Sequence, residues 1–438
     1  MVKLWTCASL LAIATFVSAC NREFILEGER FPLRAPFSET AGEAPENRAL
    51  PISLPASATN AEWTHRLGSP STRIAHPALG GTLQQVWSVP IGQGDGRRHR
   101  ITAEPVSSGG LIYTLDSRAQ VTAVTTNGEV AWTRDLTPGF TRSADSASGG
   151  GLAIADGKLF VTSAFGMLWA LDLATGAEVW SKRFDAPLTA APTIVGGVAY
   201  VVASNSTGWA LDASTGQTDW QISGAPSPSA MVGGAAPAVA GDLVLFPTSG
   251  GELIAARRDT GQIMWRRAVA GTRIGMAYAS VTDVTGDPIV QGDVVYVGNQ
   301  SGRIMALNRS DGRIIWTADE AAYGPVWPVG GSVFLMSDRN RLIRLDASTG
   351  EFIWGEALPL FTQTRERRRA EVFPHYGPVL AGGRLVVGSG DGVLRSFDPV
   401  SGALVSETEL RSGAAIAPIV VGGTLYVVSR DGRLTAYR

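Results

Sequence analysis

The stretch that decides the reading of this chain is Ala170-Leu171-Asp172-Leu173-Ala174-Thr175-Gly176-Ala177-Glu178-Val179-Trp180. It returns as Ala210-Leu211-Asp212-Ala213-Ser214-Thr215-Gly216-Gln217-Thr218-Asp219-Trp220. Looser copies end at Trp132, Trp265, Trp316 and Trp354, and one more, Phe397-Asp398 to Gly402, places Ser406 where Trp is expected. Successive markers, counted from Trp87, lie 38 to 52 residues apart. A period of that size suits a unit of four short strands.

Upstream of each phrase lies a second recurring piece. Pro192-Thr193-Ile194-Val195-Gly196-Gly197 precedes the alternating run Val198-Ala199-Tyr200-Val201-Val202, and similar pieces begin at Pro105, Pro237, Pro288, Pro325, Pro378 and Pro418. A Gly-Gly or Gly-Asp pair between β-branched runs reads as a hairpin turn. The Asp-x-x-Thr-Gly element reads as a second turn, whose Asp accepts backbone N–H groups and whose Gly takes positive φ. Each unit is therefore strand A, Gly turn, strand B, loop, strand C, Asp/Gly turn, and a strand D ending in Trp. Four strands cannot bury both faces alone. A Trp wedged between neighbouring sheets, repeated around a ring, satisfies every face.

The ends indicate how the ring closes. The chain stops after a strand C, Arg433-Leu434-Thr435-Ala436-Tyr437, with no strand D to follow. The body begins with an orphan strand D, Gln84-Gln85-Val86-Trp87-Ser88-Val89. Joining the two completes one blade. The expected fold is all-β: an eight-bladed β-propeller over residues 83–438, closed by pairing the N-terminal strand with the C-terminal blade.

The N-terminus carries Lys3, an apolar run from Leu4 to Val17, and then Val17-Ser18-Ala19-Cys20. The run is short for a membrane span and suits a signal peptide over residues 1–19. Small residues before Cys20 resemble the bacterial lipobox, in which acyl chains are attached to the cysteine after cleavage. Asn21 lacks the Asp that retains such proteins at the inner membrane in enterobacterial relatives, so the outer membrane is expected. The cysteines are Cys7 and Cys20 alone, so the mature body has no disulfide. Residues 20–82 show little periodicity and read as a tether; for Ala61 to Pro77, with Trp63, His65 and His76, the alternative is a segment packed on the body.

Composition narrows the chemistry. Charged residues make up 17% of 438, and the net charge of −2 offers no general attraction for nucleic acid. The four histidines form no zinc pattern, and no P-loop or Gly-x-Ser-x-Gly elbow occurs. Gly92-Gln93-Gly94-Asp95-Gly96 reads as an inter-blade loop. Asp283 and Asp287 read as turn caps or as a contact for a cation. The run Arg365-Glu366-Arg367-Arg368-Arg369 sits in a long connection, either a solvated loop or a binding loop.

The repeated phrase resembles the tryptophan-docking repeat of quinoprotein dehydrogenases, eight-bladed propellers that bind pyrroloquinoline quinone (PQQ) and usually Ca²⁺. The chain as a whole is more similar to the BamB family, lipoproteins of the outer-membrane β-barrel assembly (BAM) machinery. Lipobox, tether, Trp87 strand and eight units all agree, as do Gly261 to Trp265, Ser280 to Asp283 with Val284, and the ending Asp431 to Arg438. This resemblance implies a scaffold without cofactor or catalysis on the periplasmic face of the outer membrane. It would bind the POTRA domains of BamA through loops of one rim and meet unfolded outer-membrane proteins. Its contact positions fall on Met231 and Asp283. Val232 and Thr285 depart, where some relatives carry Arg and an acid. Two other readings remain: a PQQ-dependent enzyme, which would lack the vicinal cysteine pair often found in that class, and a lipid-anchored propeller for a cell-envelope ligand.

Overall fold

The structure, a computed structural model, describes residues 45–141, 143, 147–227, 232–271, 273 and 281–438. Its strands form eight antiparallel sheets of four, each in the order A-B-C-D. Blades 1 to 7 span residues 106–135, 150–183, 193–223, 238–268, 289–318, 327–357 and 375–409. Blade 8 joins residues 419–437 to the N-terminal strand Gln85–Pro90, which pairs antiparallel with Arg433–Tyr437. Gln84 and Arg438 exchange backbone bonds of 2.7 and 3.0 Å at the end of that ladder. The ring is closed as the two half-blades imply.

Blade 3 shows why the repeat has its form. Thr193–Val195, Val198–Val202 and Thr207–Asp212 are largely buried, while Thr218–Ser223 is mostly exposed. The Asp212 carboxylate accepts the N–H groups of Ser214 and Thr215 and both their hydroxyls. These bonds hold Asp212 below its ordinary carboxylate range. Gly216 follows at φ +74°, and strand D leaves toward Trp220.

The tryptophans interlock the blades. Each indole lies over the turn glycine of the next blade, from Trp87 over Gly128 to Trp354 over Gly402. Each indole N–H donates to a backbone carbonyl in that turn, as Trp316 does to Ala347 at 2.9 Å. Seven junctions carry this arrangement: Trp87, Trp132, Trp180, Trp220, Trp265, Trp316 and Trp354. The eighth runs from Ser406 to blade 8. Ser406 holds the Trp register, opposite Ser396 beside the usual bulge. Blade 8, however, has no C–D turn, because its strands C and D are the two ends of the ring. A Trp at 406 would have no glycine to cover and no turn carbonyl to reach. A polar cleft of about 310 Å³, lined by Arg411, Arg433 and Tyr437 among others, lies at this junction.

Glu46–Arg438 is one compact unit. Of the two readings of Ala61 to Pro77, the packed one holds, and the tether reading is corrected for residues 46–60 and 78–82, which belong to the same unit. Trp63 is 1% exposed. The composition of 46–60 looks like a linker because the segment contributes mainly backbone atoms to its contacts.

Trp316→Ala should destabilise the ring by about 3–5 kcal/mol, since it removes a buried aromatic that also packs on Tyr296. Gly350→Ala should cost a comparable amount, because its Cβ would fall 2.5 Å from the Trp316 ring. Ser406→Ala should stay within about 0.5 kcal/mol. Denaturant unfolding monitored by Trp fluorescence checks all three.

Candidate functional site: the ring axis and the loop rim

In a propeller the innermost strand A of each blade presents a bare edge to the axis, with unpaired donors and acceptors. Here the chain itself fills that space. The Asn60 carbonyl accepts from Gly422 in blade 8 at 2.9 Å. Trp63 exchanges two 2.8 Å bonds with Ser107 in blade 1, and the Thr64 carbonyl takes Ile154 N–H in blade 2 at 2.8 Å. His65 Nε2 takes Ile194 N–H in blade 3 at 3.1 Å. The Pro70 and Ser71 carbonyls take Val239 and Val290 in blades 4 and 5. Arg73 donates to the Pro325 and Val326 carbonyls at the entry to blade 6. In blade 7, Pro77 and His76 take Gly382 and Gly383. Residues 60–77 thus visit all eight blades in order, forming a strap that closes the axis.

Arg66 pins the strap. Its guanidinium meets Glu104 and Asp287, each at 2.9 Å, and the Gly234 carbonyl at 3.0 Å. Asp287 also accepts Ala236 N–H at 3.0 Å. Burial opposes the charge on Arg66, but the pull of Asp287 and then Glu104 outweighs it and holds the guanidinium above its usual value. Burial also raises both carboxyls, against the attraction of Arg66. Such a cluster is costly to assemble and more costly to break, because a removed partner leaves buried charge uncompensated.

The strap continues outward over blade 6. Arg344 stands where Ala170, Ala210 and Ala306 stand in other blades, and its buried guanidinium binds the Leu50 and Pro51 carbonyls together with those of Pro399 and Val400. Beyond it, Arg48 N–H donates to Ile353 O at 2.8 Å, and Asn47 Oδ1 accepts from Gly355 N–H. Asn47 and Arg48 therefore add to the outer strand of blade 6, where Trp354 is fully buried although Trp180, its equivalent in blade 2, is only half-buried.

The rim carrying the B–C loops and D–A connections is the one on which the partner contacts were expected. Met231 lies outside the described residues. Its neighbour Val232 is 51% exposed in the connection from blade 3 to blade 4. Asp283 lies in the next connection and is buried, at 6% exposed. Asp287, read as a turn cap or cation contact, instead faces Arg66. Among the described residues no group of three or more His, Cys, Asp or Glu is placed to hold a metal ion. Cys20 also lies outside the described residues. The sequence reading missed the Arg66–Glu104–Asp287 cluster, whose members lie far apart in the chain. It also missed the seat of residues 50 and 51 on blade 6, for which the available signal was Arg344, an arginine in a slot the repeat fills with alanine.

Removing the pin with Arg66→Met should cost about 3–5 kcal/mol, measured by denaturant unfolding. His65 supplies a pH test. Burial lowers it to about 4 and keeps it neutral, as Nε2 must be to accept Ile194 N–H, with Nδ1–H free to donate to Thr64 Oγ1 at 2.9 Å. The unfolded imidazole takes a proton near pH 6.5 and the folded one does not. Stability should therefore be full above about 6.5 and fall by on the order of 3 kcal/mol as pH drops to 4. His65→Gln should flatten that slope; an unchanged slope would remove the assignment.

Comparison with known proteins agrees with this architecture. Over residues 117–356 and 363–438 the chain matches the family model described as outer membrane protein assembly factor BamB. The protein of that name from Shewanella oneidensis is 28% identical over 357 residues, covering 80% of this chain and 87% of the relative. The crystal structure of BamB from Moraxella catarrhalis superposes with a TM-score of 0.67 at 22% identity, over 82% of this chain and all of that one. The quinohemoprotein alcohol dehydrogenase of Comamonas testosteroni shares the fold at a TM-score of 0.63 and 17% identity, over 87% of this chain and 81% of that one. The family match spans well over half the sequence, and the chain belongs to the BamB family of outer membrane protein assembly factors.

Proposed function

We propose that this protein is a non-catalytic scaffold on the periplasmic face of the outer membrane, held there by acyl chains on Cys20. It docks through its loop rim on the POTRA domains of a BamA-like protein and aids insertion of β-barrel proteins. The signal peptide is residues 1–19 and the tether runs from Cys20 to the start of the strap at Glu46. Family membership supports this reading, and the sealed axis is the observation that carries it. The axial residues do not fit a quinone with a calcium ion, because Arg66, Glu104 and Asp287 bond to one another and the strap fills the space around them. What remains for function is the outside of a rigid ring. Rigidity suits a scaffold, since preformed surfaces bind with little ordering cost.

We place the partner contact at the connections from blade 3 to 4 and from blade 4 to 5, around Met231, Val232 and Asp283. Val232→Glu, which puts an acid where some relatives carry Arg, should weaken capture of purified POTRA domains by about tenfold or more, which is about 1.4 kcal/mol. Asp283→Asn, which keeps the side-chain shape, should weaken it less. Glu129→Arg on the opposite rim should leave it unchanged. Equal affinities for all three in a titration would remove the rim assignment. Intact mass of the membrane-extracted protein tests the anchor: acyl mass on Cys20 is expected, and a free thiol there would contradict it.

A further inference from the structure

The connection from blade 6 to blade 7 is built, not slack. Thr362 N–H donates to Glu371 O at 3.0 Å and Phe373 N–H to Leu360 O at 2.8 Å, so residues 360–373 form a small hairpin. Its base is seated on the ring: Asn340 Nδ2 donates to the Pro359 and Phe373 carbonyls, and His375 Nε2 bonds the Pro359 carbonyl at 2.8 Å. Its tip is a short 3₁₀ turn, Glu366–Arg368, and Arg365, Arg367, Arg368 and Arg369 are all exposed. Arg369 lies over the Phe361 ring at 5.0 Å. Along the same rim, Arg97 and Arg98 in the connection from blade 8 to blade 1 are exposed as well. Nothing in the scaffold role described above uses these arginines.

We infer that this arginine hairpin docks on anionic phospholipid headgroups of the membrane that anchors the protein. Two independent observations choose a lipid surface over an acidic protein. The first is where the strap leaves the ring: Asn47 bonds Glu356 at 2.8 Å and Gly355, on the outer strand of blade 6. The hairpin begins at Pro359, three residues beyond Glu356 at the end of that strand. Asn47, two residues from the start of the described chain, therefore sits beside the strand that leads into the arginine hairpin. From Cys20 to Pro45 is 25 residues, which span at most about 90 Å. The second is the layout of the charge. The arginines spread along an arc of rim instead of converging on a pocket, which suits a flat array of phosphates. Guanidinium pairs well with phosphate, and basic residues beside a lipid anchor add to its hold. The arc also lies across the ring from Val232, so both contacts can be made at once.

The inference rests on the lipid anchor proposed above, and the experiment separates the two. The full acylated protein carries a Val372→Cys substitution, labelled with an environment-sensitive fluorophore; Val372 is 53% exposed in the hairpin stem, and Cys7 and Cys20 are the natural cysteines. It is reconstituted into phosphatidylcholine vesicles with and without about one-third phosphatidylglycerol. A blue shift that requires phosphatidylglycerol, reverses in about 0.5 M salt, and drops by ~tenfold or more in apparent affinity when Arg365, Arg367, Arg368 and Arg369 become Gln supports the inference. The same shift on neutral vesicles, no shift at all, or a shift only when an acidic partner protein is added would overturn it. The mass of Cys20 reports the anchor separately. If that cysteine proves unmodified, the labelled chain is sedimented with the same two vesicle types, and anionic-dependent binding is still required.

Discussion

The structure depends on one repeated contact: an indole laid over a glycine of the neighbouring blade, with its N–H on a carbonyl of the same turn. The indole needs the glycine, because any Cβ there would strike the ring. The glycine's positive φ in turn sets the path of strand D that delivers the next indole. The chain of contacts therefore runs from Trp87 to Gly402 as a single dependency. It stops at Ser406 because the receiving turn does not exist where the two chain ends meet. There the ring is held by other means, namely the ladder between Gln85–Pro90 and Arg433–Tyr437 and the Tyr437 hydroxyl on the Glu409 carbonyl.

The strap follows from the same geometry. A ring of eight blades leaves eight short inner strands facing a shared space, and their edge groups need partners. Residues 60–77 provide them, one blade after another, and Arg66 locks the segment with two carboxylates from opposite sides of the ring. Closing the axis moves function outward, to the rims and the outer strands. One outer strand, on blade 6, is already covered by Asn47 and Arg48.

Features that recur were legible in the sequence. The Trp, Gly and Asp of each unit answer the same physical demand many times, and repetition exposed the blade count, the turn chemistry and the closure. The strap was not legible for the opposite reason. Its partners are mostly backbone atoms scattered over eight blades, and backbone atoms leave no mark on residue identity. The side chains were the visible part. Trp63, His65 and His76 marked Ala61 to Pro77 as a segment that could pack on the body, whereas Arg344 in an alanine slot, Arg66 and Arg73 went unread. Asp287 reads from the sequence as a turn cap or a contact for a cation, and its partner Arg66 lies 221 positions away. Sequence spacing could not join them.

The central claim is that a sealed, lipid-held ring serves an assembly complex and performs no chemistry of its own. The most direct measurement is to extract the protein from envelope membranes in mild detergent and identify what comes with it in fixed proportion. The account predicts a barrel protein bearing POTRA domains, retained through size-exclusion chromatography. Recovery of the ring alone under conditions that preserve such complexes, or with stoichiometric quinone bound on its axis, would contradict it.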